Sequence, residues 1–256
     1  MSDTITYEQP LNEQIRLCLR LEHLFKILHD HMHQHTRSDS QTALTALVRV
    51  LNVIERPDLK SKLAQTLAQQ VQGLSQYQTQ TNVDQQKLVG LIQKLNQLIL
   101  NLHRMPGKIA ENIRHNPFLK QIRLQSNNPT GPCYFTAPAY ALWLHQPAEQ
   151  RSDDLANWAK EFSELNTVVS TILNLTRDSA PTLQVVSQTG SFEQTLNPAL
   201  PCQLVRVTLP IEYNAYPEIS VGRHRLAIRF RPLDQLNQGQ QLPQQAISFS
   251  LSCCQI

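Results

Sequence analysis

Arginine spacing marks the segment of this sequence best suited to hold an anion. Within residues 220–234 four arginines occupy odd positions, namely Arg223, Arg225, Arg229 and Arg231. Apolar residues occupy even positions among them, namely Leu226, Ile228 and Phe230. Because successive side chains of a β-strand point to opposite faces, this pattern predicts a strand with a buried apolar face and an outer face of arginines. Guanidinium groups roughly 6.6 Å apart along such a strand can each bind a carboxylate or a phosphate through a planar fork.

An alternative explanation is that these arginines form a solvated face and pair with acids on neighbouring strands. No acid lies between the four arginines in the sequence, so we favour anion binding. Arg56 is a further candidate, because it precedes Pro57 and so falls at a corner between two helices. It could equally interact with the C-terminal dipole of the preceding helix. His145 is a further candidate, as the histidine that we place near this anion-binding site.

The sequence lacks recognisable motifs of catalysis and of metal binding. It has seven glycines and contains no G-x-x-x-x-G-K-[ST] loop, no G-x-S-x-G elbow and no H-E-x-x-H pair. Its five cysteines form no C-x-x-C pair, and the histidines within residues 29–35 have no second cluster of ligands. We therefore expect no enzymatic activity, no catalytic residue, no metal and no cofactor.

The composition of the chain limits the compartments and the classes of partner that we expect. The chain has 256 residues, 41% of them hydrophobic, and no apolar run near the roughly 20 residues that a membrane span needs. Its first residues show no basic segment followed by an apolar one, so we expect a cytoplasmic protein without a membrane partner. A formal net charge of +3 is too small to drive sequence-independent binding to nucleic acid. An RNA- or DNA-binding module is the alternative, although the odd-numbered face of the strand has no aromatic residue on which a base could stack.

Helical periodicity dominates the chain up to about residue 124 and predicts a helical bundle. We expect Asn12 to cap the first helix and residues 38–40 to provide the cap of the second. Leucines spaced three and four apart in residues 59–74 and 88–102 predict an αα-hairpin. Their apolar surface exceeds what one hairpin buries. A further helix or a second subunit is therefore expected against it, and we predict a homodimer.

The remaining chain changes from helical to strand periodicity. We expect a short strand at Cys133–Thr136, and one long helix that Ser152 caps and that ends before Pro181. From residue 182 onward apolar and polar residues alternate, which predicts antiparallel strands at 183–187, 203–209, 223–231 and 246–254.

The predicted fold class is α+β, with an N-terminal all-α helical bundle domain and a C-terminal antiparallel β-sandwich-like domain. We assign residues 1–128 and 150–180 to the α-helical domain, which we expect to carry dimerisation. Residues 129–149 and 181–256 are assigned to the β-strand domain, which we expect to carry the basic partner-binding face.

Several segments together resemble one known family, the ZapD (YacF) family of FtsZ-associated division factors. They are PLNEQIRLCLRLEHLF at 10–25, VIER at 53–56, WLHQP at 143–147, SAP at 179–181, YPEIS at 216–220 and RLAIRFRPLD at 225–234. The matches run in order along nearly the whole chain.

The resemblance implies a cytoplasmic homodimer that binds the acidic C-terminal tail of FtsZ and bundles FtsZ filaments at the midcell division ring. It maps a basic pocket of the β-domain onto Arg56, Arg225 and Arg229. Arg223 and Arg231 are additions from strand parity. The expected partners are therefore FtsZ and a second copy of the chain, with no nucleic acid and no membrane.

Overall fold

A computed structural model describes residues 3–80, 83–199, 201–233 and 246–255. These residues form two compact units. The helical unit is Leu17–Ile172, and the strand unit combines Met1–Arg16 with Leu173–Ile256. Helices fill the first unit and antiparallel sheets the second, so the predicted α+β fold class is confirmed.

The helices follow one another along the first two thirds of the chain. They are α1 (Glu13–Met32), α2 (Arg37–Val53), α3 (Leu59–Ser75), α4 (Gln85–Arg104), α5 (Glu111–Arg114), α6 (Pro117–Gln125), α7 (Pro138–Leu144), α8 (Ala148–Lys160) and α9 (Ser163–Asp178). Asn12 caps α1 as predicted, because its Oδ1 accepts a hydrogen bond of 2.8 Å from the backbone N–H of Ile15. The cap of α2 is Thr36, whose hydroxyl accepts from Asp39 N–H, and not residues 38–40.

The predicted αα-hairpin is formed by α3 and α4, which pack on each other. Four leucines of the α4 stripe are buried within the chain itself, namely Leu88, Leu95, Leu98 and Leu102. A further helix also covers the hairpin, since Gln70 Nε2 of α3 donates a 3.0 Å hydrogen bond to the Ile172 carbonyl of α9. The large apolar residues that α4 leaves exposed are Val89 and Leu100.

Two sequence-based expectations in the middle of the chain are wrong. Residues 133–136 form a turn rather than a strand, because the Cys133 carbonyl accepts backbone hydrogen bonds from Thr136 and Ala137. The long helix capped by Ser152 is instead two helices, and α8 begins directly after Pro147. The break at residues 161–162 turns Phe162 inward, where it is buried and lies against Phe25 with ring centroids 6.1 Å apart.

The limits of the two units also differ from the predicted domain limits. Residues 129–149, which we assigned to the strand domain, lie within the helical unit, and residues 1–16 lie within the strand unit. Residues 129–149 carry α7, whose Tyr140 and Trp143 are buried, so this segment contributes apolar residues to a helix rather than to a sheet.

The described residues of the strand unit form a four-stranded and a three-stranded antiparallel sheet. The strands are β1 (Thr4–Pro10), β2 (Leu183–Ser187), β3 (Ser191–Thr195), β4 (Cys202–Pro210), β5 (Ala215–Val221), β6 (Arg225–Pro232) and β7 (Ile247–Gln255). Their order is β1-β4-β7-β2 in one sheet and β3-β6-β5 in the other. One core joins the two sheets, built from alternate residues of β4, β6 and β7 such as Val207, Ile228 and Phe249. The predicted sandwich-like arrangement is confirmed.

Strand β1 was missed by the sequence analysis, which placed this segment in a helical region. It pairs with β4 in a register that sets Tyr7 opposite Val207. An ion cluster also holds it in place, because the Glu8 carboxylate accepts from Arg177 (2.7 Å) and from Arg206 (2.9 Å). Burial raises the pKa of Glu8, but the hydrogen bonds and charges of the two arginines outweigh burial and lower it below its ordinary value.

Candidate partner-binding site

The predicted arginine face lies on β6, the central strand of the three-stranded sheet. Leu226, Ile228 and Phe230 are fully buried in the sandwich core. Arg225 and Arg229 point to the opposite face and are exposed. The parity prediction is confirmed for these two arginines, and the buried residues between them fix the backbone from which they project.

The neighbouring strands add acids to this face. Glu193 of β3 is opposite Ala227, and Glu218 of β5 is opposite Arg229. Around the small Ala227 the sheet forms an open groove of about 470 Å³. We call this the arginine groove; its lining residues are Glu193, Glu218, Ile219, Ser220, Gly222, Arg225, Ala227 and Arg229.

Two of the predicted arginines are ion-paired within the strand unit. Arg225 pairs with Glu193, with both side chains more than half exposed. Arg231 Nε lies 2.9 Å from Glu218 Oε2, and the Arg231 side chain is only 17% exposed. Pairing with acids on neighbouring strands, the alternative explanation, therefore applies to these two residues. Arg229 forms no ion pair with another residue that the structure describes.

Exposure decides which arginine can exchange its partner. An exposed ion pair contributes only about 0–1 kcal/mol, so a ligand carboxylate can replace Glu193 on Arg225 at small cost. Arg231 is largely covered and keeps its internal partner. A ligand carboxylate in the groove can therefore bind Arg229 directly, and it can bind Arg225 after displacing Glu193.

Arg223 does not belong to the strand, contrary to the prediction. Backbone hydrogen bonding between Gly222 N–H and the Arg225 carbonyl (2.8 Å) closes a hairpin turn, and Arg223 lies exposed in that turn. Its side chain is therefore not placed by strand alternation. The turn arises from the pairing of β5 with β6, which the alternation of a single segment does not reveal.

Arg56 lies in the helical unit, exposed in the turn between α2 and α3. With Lys60 and Lys108 it lines a small pocket of about 50 Å³. Lys60 Nζ donates to the backbone carbonyls of Met105 (2.8 Å) and Gly107, which fixes the loop after α4 at this corner.

Glu55, which precedes Arg56 in the chain, forms ion pairs with other basic residues of the same corner. Its carboxylate accepts from Arg123 (2.7 Å) and Arg114 (2.8 Å). The hydrogen bond from Arg123 is the main reason that the pKa of Glu55 lies below its ordinary value, and Arg114 and Lys108 add to the effect. Arg114 and Arg123 thus neutralise Glu55.

His145 also lies in the helical unit, at the C-terminus of α7. It is exposed, and its Nδ1 is 2.8 Å from the Ala141 carbonyl oxygen. It is not among the residues that line the arginine groove.

The sequence analysis missed Glu193, Glu218 and Tyr216 on the arginine face. Tyr216 is opposite Arg231 and so places one aromatic ring on this face. Tyr216 and Glu218 stand in a short alternating segment, which is the signal that could have revealed strand β5, whereas the segment around Glu193 has no such alternation. Their register against β6 is set by contacts between distant parts of the chain.

Two general features of the described residues bear on chemistry. Among them, no group of three or more histidine, cysteine, aspartate or glutamate side chains is arranged to hold a metal ion. In the same part of the chain, no helix combines the length and apolar character needed to cross a membrane.

The fold and the groove define an α+β protein with a charged, open surface site. Residues 19–229 match the ZapD family, described as a cell division protein. Two relatives named "Cell division protein ZapD", from Coxiella burnetii strains RSA 331 (Henzerling II) and RSA 493 (Nine Mile phase I), are each 52% identical over 258 residues, covering 100% of both chains. The chain belongs to the ZapD family of cell division proteins. The matched residues include Arg56, Arg225 and Arg229 and end before Arg231.

Proposed function

We propose that this cell division protein binds the acidic C-terminal tail of FtsZ in the arginine groove and, as a homodimer, crosslinks FtsZ filaments at midcell. The observation that carries the proposal is the pair Arg225 and Arg229, which project from a rigid central strand on either side of Ala227. In this role the protein acts by binding alone, without catalysis and without a cofactor.

The groove suits an extended acidic segment. Arg225 and Arg229 are four residues apart, which is ~13 Å along a strand. Carboxylates separated by a similar length of extended peptide can each accept a forked hydrogen bond from one guanidinium. Two partly solvated ion pairs contribute about 0–1 kcal/mol each, so they select an acidic segment but supply only part of the roughly 8 kcal/mol that micromolar binding requires at a 1 M standard state.

Crosslinking requires two copies of this groove. We propose that the helical unit supplies the dimer contact through the outer face of α4, where Val89 and Leu100 are exposed. A dimer presents two sites to filaments that each carry many tails, so the effective concentration raises avidity without any new contact. We also propose Arg56, an exposed residue of the helical unit, as a separate contact for carboxylates of the partner.

Nucleic-acid binding is the competing function. Tyr216 favours it, because an aromatic ring on a basic face can stack on a base. Glu193 and Glu218 repel phosphates as they repel carboxylates, but a continuous phosphate backbone needs a series of available cations, and this groove offers only Arg229 and, after exchange of its partner, Arg225.

The experiment measures peptide binding by fluorescence anisotropy. A labelled FtsZ C-terminal tail peptide should bind the parent protein. Binding should weaken by more than ~100-fold in the Arg225→Glu/Arg229→Glu variant, because two attractions become repulsions. Lys120→Glu/Lys160→Glu, which makes the same charge change at exposed helical residues, is the matched control and should bind normally. A folded double-arginine variant that binds the peptide like the parent protein would refute the proposal, and tight binding of single-stranded RNA by the parent protein would favour the competing function.

A further inference from the structure

A small apolar pocket opens at the edge of the sandwich where β1 and β5 lie. Its volume is about 100 Å³, and its lining includes Ile5, Tyr7, Ile211, Tyr216 and Leu233. Three of these residues are large, apolar and substantially exposed: Ile5 by 42%, Ile211 by 51% and Leu233 by 49%. Isolated exposed apolar residues are ordinary, but three around one concavity mark a binding surface.

The pocket and the arginine groove are parts of one surface of the strand unit. On β5, Tyr216 lines the pocket and Glu218, two residues further on, lines the groove. Residues two apart on a strand lie on the same face, roughly 6.6 Å from each other. On β6, the neighbouring strand, Arg229 lines the groove, and the pocket residue Leu233 directly follows the last residue of this strand. The Leu233 N–H donates a 2.8 Å hydrogen bond to the Asn214 carbonyl, which fixes Leu233 beside the start of β5.

We propose that this pocket holds an apolar side chain of the same acidic segment that Arg225 and Arg229 bind. This inference rests on the proposed function and adds a second determinant to it. The ligand class becomes an extended acidic peptide with one aliphatic residue beyond its carboxylates. A cavity of ~150 Å³ is known to accept benzene, so a pocket of this volume accepts one side chain of about the size of valine or leucine.

The size and the charge of the surroundings select this occupant over a second copy of the chain. A stable interface between proteins buries about 800 Å² on each partner, far more than a pocket for one side chain. The adjacent arginines instead complement an acidic peptide. The two contacts also differ physically, because salt screens the ion pairs but leaves the burial of an apolar side chain largely unaffected.

The test measures the affinity of the FtsZ tail peptide at low and high salt. Ile211→Gln/Leu233→Gln should weaken binding about 10-fold at both salt concentrations, the loss expected for one aliphatic contact. The matched control is Leu183→Gln/Val186→Gln, which changes two residues of β2 that are each 51% exposed, and it should stay within about two-fold of the parent protein. All these side chains are exposed, so the variants should melt at the temperature of the parent protein.

A second peptide makes the test specific. In this peptide the aliphatic residues of the tail are replaced by serine and the acids are kept. It should bind the parent protein about 10-fold more weakly, and Ile211→Gln/Leu233→Gln should add little further loss, because both changes remove the same contact. Independent, additive losses would overturn the inference.

The remaining outcomes separate the two proposals. If the pocket variant binds like the parent protein while Arg225→Glu/Arg229→Glu loses binding, the pocket assignment is wrong and the proposed function stands. If the parent protein does not bind the tail peptide, both are wrong. If Ile211→Gln/Leu233→Gln instead converts a dimer to a monomer in sedimentation, the pocket belongs to self-association and the inference is overturned.

Discussion

Replacing Glu193 by glutamine should strengthen binding of the acidic tail rather than weaken it. Glu193 pairs with Arg225 in the absence of a ligand, so a ligand carboxylate must displace it. Glutamine keeps the size and the hydrogen-bonding capacity of the side chain and removes its charge. The variant therefore leaves Arg225 in place with no acid to compete for it.

The magnitude follows from the exposure of the pair. Arg225 and Glu193 have side-chain exposures of 64% and 55%, so their ion pair belongs to the weak, solvent-screened class. Such pairs contribute about 0.2–1 kcal/mol, which corresponds to a roughly 1.5- to 5-fold gain in affinity when the competitor is removed. The gain should shrink as salt is raised, because salt weakens the ion pair and the ligand contact alike.

The assay is titration calorimetry with the FtsZ tail peptide at two salt concentrations. Glu149→Gln removes the same charge from an exposed residue of α8 and is the control, with an unchanged affinity expected. A weaker affinity of Glu193→Gln at low salt would refute the reasoning, because Glu193 would then be contacting a basic group of the ligand instead of competing with its acids.

Three further predictions concern stability and assembly. Arg151→Met should lower the free energy of unfolding by about 3 kcal/mol in chemical denaturation. The buried guanidinium donates hydrogen bonds to the Ser40 hydroxyl and to the Gln146 and His35 carbonyls, and these acceptors would lose their partner. A loss under 1 kcal/mol would contradict this. Glu8 has a pKa below its ordinary value of 4.5, so its ion cluster should stabilise the fold at neutral pH, and this stabilisation should be lost as the pH falls through the lowered pKa. Glu8→Gln should therefore make stability depend less on pH in the acid range, as measured by circular dichroism. Val89→Glu/Leu100→Glu should give a monomer in sedimentation that still binds tail peptide but no longer bundles filaments in light scattering, and a bundling monomer would refute the crosslinking mechanism.

Leucines of the α4 stripe are unsuitable positions for a monomeric variant, for a structural reason. The leucine stripe was predicted to face a further helix or a second subunit, and Leu98 is only 7% exposed within the chain. A charge at Leu98 would disrupt the packing of α4 on α3 and so unfold the hairpin. Sequence periodicity identifies the apolar side of a helix, but it does not say whether a neighbouring helix or another subunit covers it.

Local patterns were sufficient where one segment determined the outcome. The alternation of β6 correctly predicted which residues are buried and that Arg225 and Arg229 are exposed, since the period of a strand is a property of the strand alone. The N-cap at Asn12 was also predicted correctly, because a cap requires only residues within one turn.

Long-range pairing explains what the sequence did not reveal. Strand β1 pairs with β4 about two hundred residues further on, for example Ile5 with Leu209, and neither segment indicates the other. The acids of the groove likewise reach Arg225 only through the register of β3 on β6. The groove therefore has a mixed charge, whereas the sequence around the arginines predicted a purely basic face.

Co-sedimentation of the protein with FtsZ filaments tests the central claim most directly. The parent protein should pellet with full-length FtsZ filaments and stay in solution with filaments that lack the C-terminal tail. Arg225→Glu/Arg229→Glu should stay in solution with both, while Lys120→Glu/Lys160→Glu should pellet like the parent protein. Equal pelleting of the folded double-arginine variant, or of the parent protein with tailless filaments, would contradict the assignment of the arginine groove as the site that binds the tail.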